Sequence, residues 1–224
     1  MFEELDSLFQ SPTIKPSFEI VHVILALFIF EENKEGIGRY RLQKELLIGS
    51  GTARSLIKKL NEAIKFIQVL TDENVRKGHI LTKNGFEFLK KLKQKIPLIE
   101  FGNLAILKDI IIKSEGISSY FCLVKNAASK ISNGIEQRDA AIKIGGAGAT
   151  CLLYNGNELI FPSHIFSENG KEQMRVDDNI FDYFRTHINA KNSELRENDV
   201  IIIGLGEKPE KARLAALNAA LTIL

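Results

Sequence analysis

Apolar residues follow two rhythms along this chain, a helical one in its first part and a mostly strand-like one further on. A dense apolar run from Ile20 to Phe30 sits inside a predicted helix over 18–33, opened by Pro16 and a Ser17 N-cap and closed by Glu35-Gly36. A second helix is expected over 39–47, with Leu42, Leu46 and Leu47 facing inward. After the turn Ile48-Gly49-Ser50-Gly51, a third covers 52–65. At about 100° per residue, Ala53, Leu56, Ile57, Leu60 and Ile64 form one stripe of that third helix, while Arg54, Ser55, Lys58, Lys59 and Glu62 fall opposite. The period then shortens to two over 66–70. The stretch 71–78 is polar, 79–81 reads as a return strand, and Thr82 caps a fourth helix over 83–95. The first ten residues read as a loose tail or a short packing helix. Helix, helix-turn-helix, hairpin, helix is the order of a winged helix-turn-helix domain over residues 1–96.

Pro97 ends this series, and residues 97–106 are expected as a linker apolar enough to pack. Beyond it, 107–224 should form a second domain. Strands are expected over 117–125, 149–154, 159–161 and 199–203, and helices over 134–144, 176–187 and 209–221. Asn155-Gly156 marks the hairpin between the second and third strands, with a type I′ turn. The order β-α-β-β-α-β plus a terminal helix predicts a ferredoxin-like sandwich, so the fold class expected for the whole chain is α+β.

Charge changes the picture more than overall composition does. The formal net charge is only +2, yet residues 39–96 carry fourteen basic side chains against five acids, and 1–38 carry seven acids against two lysines. A basic middle flanked by acidic segments points to a local polyanion site. Cys122 and Cys151 each lie in an apolar run and read as buried free thiols. The four histidines form no metal-ligand spacing with them, so neither metal nor cofactor is expected. The N-terminus MFEELD lacks a signal-peptide pattern, and the run 20–30 is too short to span a bilayer. A cytoplasmic protein without membrane contact is expected.

The expected partner is double-stranded DNA. A helix the size of the third one fits the major groove with its N-terminal side chains at base edges. Arg54 has the geometry to pair with guanine. Ser50 can cap the helix, Thr52 and Ser55 can contact bases or phosphates, and Lys58 and Lys59 suit phosphates. Arg39, Arg41 and Lys44 on the preceding helix can grip the backbone, and Arg76 and Lys77 stand at the tip of the predicted wing. The bland alternative is a protein-docking module whose lysines are only a solvated face.

The pattern IGRYRLQKELLIGSGTARSLIKKL, followed by LTKNG, resembles an archaeal family of winged-helix transcription regulators in which a C-terminal domain of unknown function follows the DNA-binding-like part. RDAAIKIGGAGAT and DVIIIGLGEKPEKA resemble the second domain of that family. The resemblance implies a sequence-specific transcription regulator. It brings no established activity for the C-terminal half.

Two glycine-rich turns carry the candidate chemistry of that half. Gly145, Gly146 and Gly148 join a helix to a strand, and Gly204 and Gly206 join a strand to the last helix. Brought together, they would offer backbone N–H groups to an anionic metabolite, with Arg138, Lys143 and Lys208 nearby and Asp139 orienting one of them. The glycines equally suit tight turns and a helix C-terminus. GLGEKP lacks the third glycine of a dinucleotide fingerprint, and nucleophile–base arrangements are missing, so an enzyme is not expected. The alternative reading is a small-molecule enzyme or nucleotide-binding protein with an autoregulatory winged helix. The apolar helices over 18–33 and 209–221 carry more apolar surface than one small core needs, which predicts a homodimer through one of them.

Overall fold

The computed structural model describes residues 2–10, 16–72, 75–111, 116–162 and 174–224. The chain divides into two compact units, Met1–Lys91 and Leu92–Leu224. It is a mixed α and β structure, with one two-stranded and one five-stranded antiparallel sheet among the described residues.

In the first unit a short turn of 3₁₀ helix, Glu3–Leu5, leads into α1 (Asp6–Phe9), and both bury a leucine, Leu5 and Leu8. Helix α2 (Ile20–Glu32) is buried along its whole centre, from Val21 to Phe30. Its N-cap is Glu19 rather than Ser17. The Glu19 carboxylate accepts from the His22 backbone, and His22 Nδ1 accepts from the Glu19 N–H at 3.0 Å. Helix α3 (Arg39–Leu46) ends where Leu47 turns left-handed at φ 53°. Helix α4 (Ser50–Lys58) starts after Gly49 and then widens into a π-type turn over Lys59–Ala63. The expected helix over 52–65 therefore keeps its direction but not its regular winding. Strands β1 (Ile67–Asp72) and β2 (Val75–Leu81) form the hairpin. Ile37 adds a one-residue bridge to it, exchanging both backbone bonds with His79 at 3.0 Å. Gly78, at φ +118°, makes that approach feasible, because a Cβ there would lie 2.6 Å from the Ile37 carbonyl. Thr82 Oγ1 accepts from Gly85 N at the start of α5 (Lys83–Lys93), as its capping role requires.

The second unit departs from the expected layout in two ways. The stretch read as a linker over 97–106 contains a strand, β3 (Leu98–Gly102), paired along its length with β4 (Ser118–Val124), and then α6 (Leu104–Leu107). Its apolar content belongs to a sheet edge. The remaining elements are α7 (Ile135–Lys143), β5 (Gly148–Tyr154), β6 (Leu159–Ile160), α8 (Asp178–Ala190), β7 (Val200–Gly206) and α9 (Pro209–Leu221). The sheet order is β3-β4-β7-β5-β6. A split β-α-β is present between β4 and β5, but the last strand fills the gap, whereas in a ferredoxin-like sandwich the third does. Helices also cover both faces. Phe121, Leu123, Ile201, Ile203, Leu205 and Leu152 pack with Ile180, Phe184 and Ile188 of α8. On the other face α9 lies on β7, β4 and β3, and α7 on β5. Every residue of β7 is buried, as a central strand between two helical layers requires. The β5–β6 hairpin forms as expected, but only Gly156 of the Asn155-Gly156 pair has positive φ. The Asn155 side chain closes the loop instead, accepting from Asn157 N and Glu158 N at 3.0 and 2.9 Å.

Neither α2 nor α9 offers the free apolar face from which a dimer was expected. The alanines Ala212, Ala215, Ala216, Ala219 and Ala220 are fully buried, and so is the centre of α2. Their excess of apolar residues is used up inside the chain.

Candidate nucleic-acid interface

Helix α4 turns Ala53, Leu56 and Ile57 inward and leaves Ser50, Gly51, Arg54, Ser55 and Lys58 exposed. Ser50 is the first helical residue, and Gly49 takes the N-cap without a side-chain bond. The expected capping by Ser50 is thereby replaced by bare N–H groups, which an anion can approach. Space around Gly51 is open: a Cβ added there would meet nothing within 4 Å. Thr52 is half-buried, its hydroxyl 2.6 Å from that of Ser17, which joins the entry of α2 to the start of α4.

The charged residues around α4 separate into two groups. Lys58 faces Glu62 at 3.8 Å, and Arg41 faces Glu45 at 3.6 Å, both pairs one helical turn apart, with Glu45 half-buried and the other three side chains exposed. Such pairs are worth about 0.2–1 kcal/mol, too little to keep either cation from a phosphate. Lys59 is different: its ammonium is held by the carbonyl of Leu8 and by that of Gln10 at 3.3 Å. It closes the C-terminal end of α1 and is withdrawn from the exposed face that helical periodicity assigned it. Arg39 donates to the hydroxyl of Tyr40 at 3.2 Å, its guanidinium 4.9 Å from the ring centre. Tyr40 is 74% exposed on α3 and escaped the sequence reading, because an aromatic in RYRLQK carries no periodic signal. Lys44 and Lys77 are exposed. The side chains of 72–76 lie outside the described residues, and with them the expected contact of Arg76.

In the second unit the two glycine turns do come together. Gly148 pairs with Leu205, and Ala147 N donates to Leu205 O at 2.7 Å. What fills the space beside them is α9. A Cβ on Gly204 would lie 2.1 Å from Ala216 N, one on Gly206 2.6 Å from Ala212 N, and one on Gly146 2.5 Å from Ala215 Cβ. These three glycines thus have a packing reason: they let a small-residue helix touch the strand and the turn beside it. Gly145, at φ +89°, follows the C-cap of α7, the position where glycine ends helices. Arg138 and Asp139 are exposed and bond each other at 2.8 Å. Lys143 is exposed at the end of α7, and Lys208 is the N-cap residue of α9. The Glu207 carboxyl is held below its usual range by the Lys211 ammonium 2.8 Å away. Among the described residues, the space beside Gly146, Gly204 and Gly206 is taken by α9.

Among the buried polar groups that the sequence did not reveal are Asp199 and Tyr183. The Asp199 carboxylate, 2% exposed, accepts from Asn126 N at 2.9 Å, from Arg196 N at 2.7 Å and from the Lys125 ammonium. It ties the loop after β4 to the turn before β7. The Tyr183 hydroxyl accepts from Asn103 N at 2.9 Å, and burial pushes its pKa up. Asp177, one of the acids at the start of α8, accepts from Asn179 N as an N-cap. Among the described residues no group of three or more His, Cys, Asp or Glu could hold a metal ion, and no helix is long and apolar enough to cross a membrane.

Residues 116–223 match a family described as "Domain of unknown function (DUF4443)". No curated protein matches the chain. Among solved structures, the hypothetical protein PH0730 from Pyrococcus horikoshii OT3 is similar, with 25% identity and a TM-score of 0.62 over 92% of this chain and 93% of that one. Both findings fit an archaeal domain of unknown function.

Proposed function

We propose that this chain is a sequence-specific, DNA-binding transcription regulator whose first unit is a winged helix-turn-helix. The supporting observation is the exposed face of α4. It combines uncapped N-terminal N–H groups, an exposed Arg54 and Ser55 at the groove-reading end, and Lys58 one turn further along. In this reading α4 lies in the major groove and Arg54 makes the two-pronged contact to guanine that its planar fork allows. Lys58, Arg39, Arg41 and Lys44 hold phosphates on either side, and Lys77 on the hairpin reaches the flanking backbone. Lys59 takes no part, because it closes α1. Thr52 fixes the start of α4 through Ser17 and acts as a positioning residue.

The test is fluorescence anisotropy against duplexes enriched from a randomised pool by the wild-type protein. Arg54→Ala is expected to relax preference at one base position, at a cost of about 1–3 kcal/mol for the preferred duplex. Lys58→Ala should weaken all duplexes about equally. Equal affinity of wild type and a combined Arg54→Ala, Lys58→Ala variant for every duplex would reject the assignment.

A further inference from the structure

Helix α7 packs on β5 and α9 by one side and carries an ordered pattern on the other. Gln137 and Ala141 are buried on the inner side. On the outer side lie Ile135, Arg138, Asp139 and Ile142, all exposed, at the spacings of three, four and seven that keep one helical face. The two isoleucines are 45% and 50% exposed. These four residues are symmetric about the point midway between Arg138 and Asp139: an isoleucine stands at either end and two opposite charges at the centre. A contact across a two-fold axis needs that order, because residue i of one copy meets residue j of the other while j meets i. Within one chain Arg138 donates to Asp139 through Nε and Nη2, at 3.0 and 2.8 Å, and both bonds end on Oδ1. They leave Oδ2 and Nη1 to further bonds. Beside Ile135 lies a hollow of about 300 Å³, with Ile110, Phe161 and Pro162 among its walls and Arg138 as the charged member of its lining. Ile142, two turns along the helix, is no part of that lining.

We infer that the outer face of α7 docks on the same face of a second copy, with the two helices antiparallel about that midpoint. Ile135 of each copy then meets Ile142 of the other, which comes to the mouth of the hollow. Arg138 of each copy meets Asp139 of the other, closing a ring of four alternating charges. The inference goes beyond the DNA-binding reading and does not depend on it. It also moves the dimer contact away from α2 and α9, whose apolar faces are buried.

Sedimentation equilibrium of the full chain without DNA is the test. A seam one short helix long buries less than the roughly 1,200 Å² of a standard interface, so wild type should dimerise weakly, with a Kd of about 10–100 μM. Arg138→Asp and Asp139→Arg each set like charges across the axis and should each weaken the dimer about tenfold or more. The double exchange, Arg138→Asp with Asp139→Arg, makes the facing charges opposite again and should return the Kd to within about threefold of wild type. Ile142→Ala should weaken the dimer about tenfold, because the hollow loses its occupant. Melting temperatures unchanged by these exposed substitutions exclude misfolding as the cause. A wild type still monomeric at several hundred micromolar, a dimer indifferent to the single exchanges or to Ile142→Ala, or a double exchange as weak as its components would each overturn the inference. Because DNA is absent, each of those results leaves the DNA-binding reading standing.

Discussion

Replacing Gly204 with Ala adds a single methyl to the middle of a fully buried strand, and its cost follows from where that methyl must go. The new Cβ would lie 2.1 Å from Ala216 N, 2.5 Å from Ala216 Cα and 2.8 Å from Ala212 O. All three are backbone atoms of α9, so no side-chain rotation relieves the clash. Either α9 lifts from β7 or the strand shifts against its two neighbours, β4 and β5. Overpacking a tight core costs about 1–3 kcal/mol, and rigid backbone on both sides places this case near 3 kcal/mol. Ala216→Gly should not rescue it, because the Ala216 side chain is not what the methyl meets. Gly145→Ala is the matched control. Its site is open, so only the left-handed φ of +89° is penalised, at about 1–2 kcal/mol. Urea unfolding followed by circular dichroism gives the loss, and hydrogen exchange of the β7 amides shows that it falls on the second unit. A loss below about 0.5 kcal/mol for Gly204→Ala, or full rescue by Ala216→Gly, would refute the packing explanation. The glycine turns would then be open again to a ligand.

Two further outcomes follow from buried polar groups. Burial lowers the pKa of His22, outweighing the opposing effect of Glu19, and its Nδ1 must be unprotonated to accept the Glu19 N–H. The unfolded chain therefore binds the proton more readily. Stability should be complete above the ordinary value of 6.5 and fall as pH drops through it, by at most about 1.4 kcal/mol per unit. Thermal melts between pH 8 and 5 should show this fall, and His22→Leu should remove it; a melting temperature that rises toward pH 5 would contradict the assignment. Asp199→Ala leaves Lys125, 22% exposed, without its carboxylate and two backbone N–H groups without an acceptor. The expected loss is about 3 kcal/mol. A loss under about 1 kcal/mol by urea titration would show that the junction does not depend on this charge.

What the sequence disclosed was what local pattern controls. The helix pair α3–α4 was legible because Leu42, Leu46, Ala53, Leu56 and Leu60 keep a helical period and are buried accordingly. The hairpin after it was legible from its polar middle. Strand order in the second unit was not, since nothing local in β7 tells it to insert between β4 and β5. The edge strand β3 was hidden by its brevity and by Glu100, which pairs with Lys191 at 2.9 Å. Lys59 was misplaced because periodicity gives a direction and not a partner. The glycines of β7 drew a functional reading because glycine marks close approach without saying of what; the answer was Ala212 and Ala216, several residues further along the chain.

The central claim is that the first unit binds duplex DNA through the α4 face, and the most direct measurement is wild-type affinity for a duplex across a series of salt concentrations. If Arg39, Arg41, Lys44, Lys58 and Lys77 each neutralise a phosphate, the slope of log K against log salt should be about −4.5, and Lys58→Ala should reduce its magnitude by about one. Lys59→Ala should leave the slope unchanged, because that ammonium is bound to Leu8 and Gln10. Affinity weaker than about 10⁻⁴ M at physiological salt, or a slope near zero, would contradict the account.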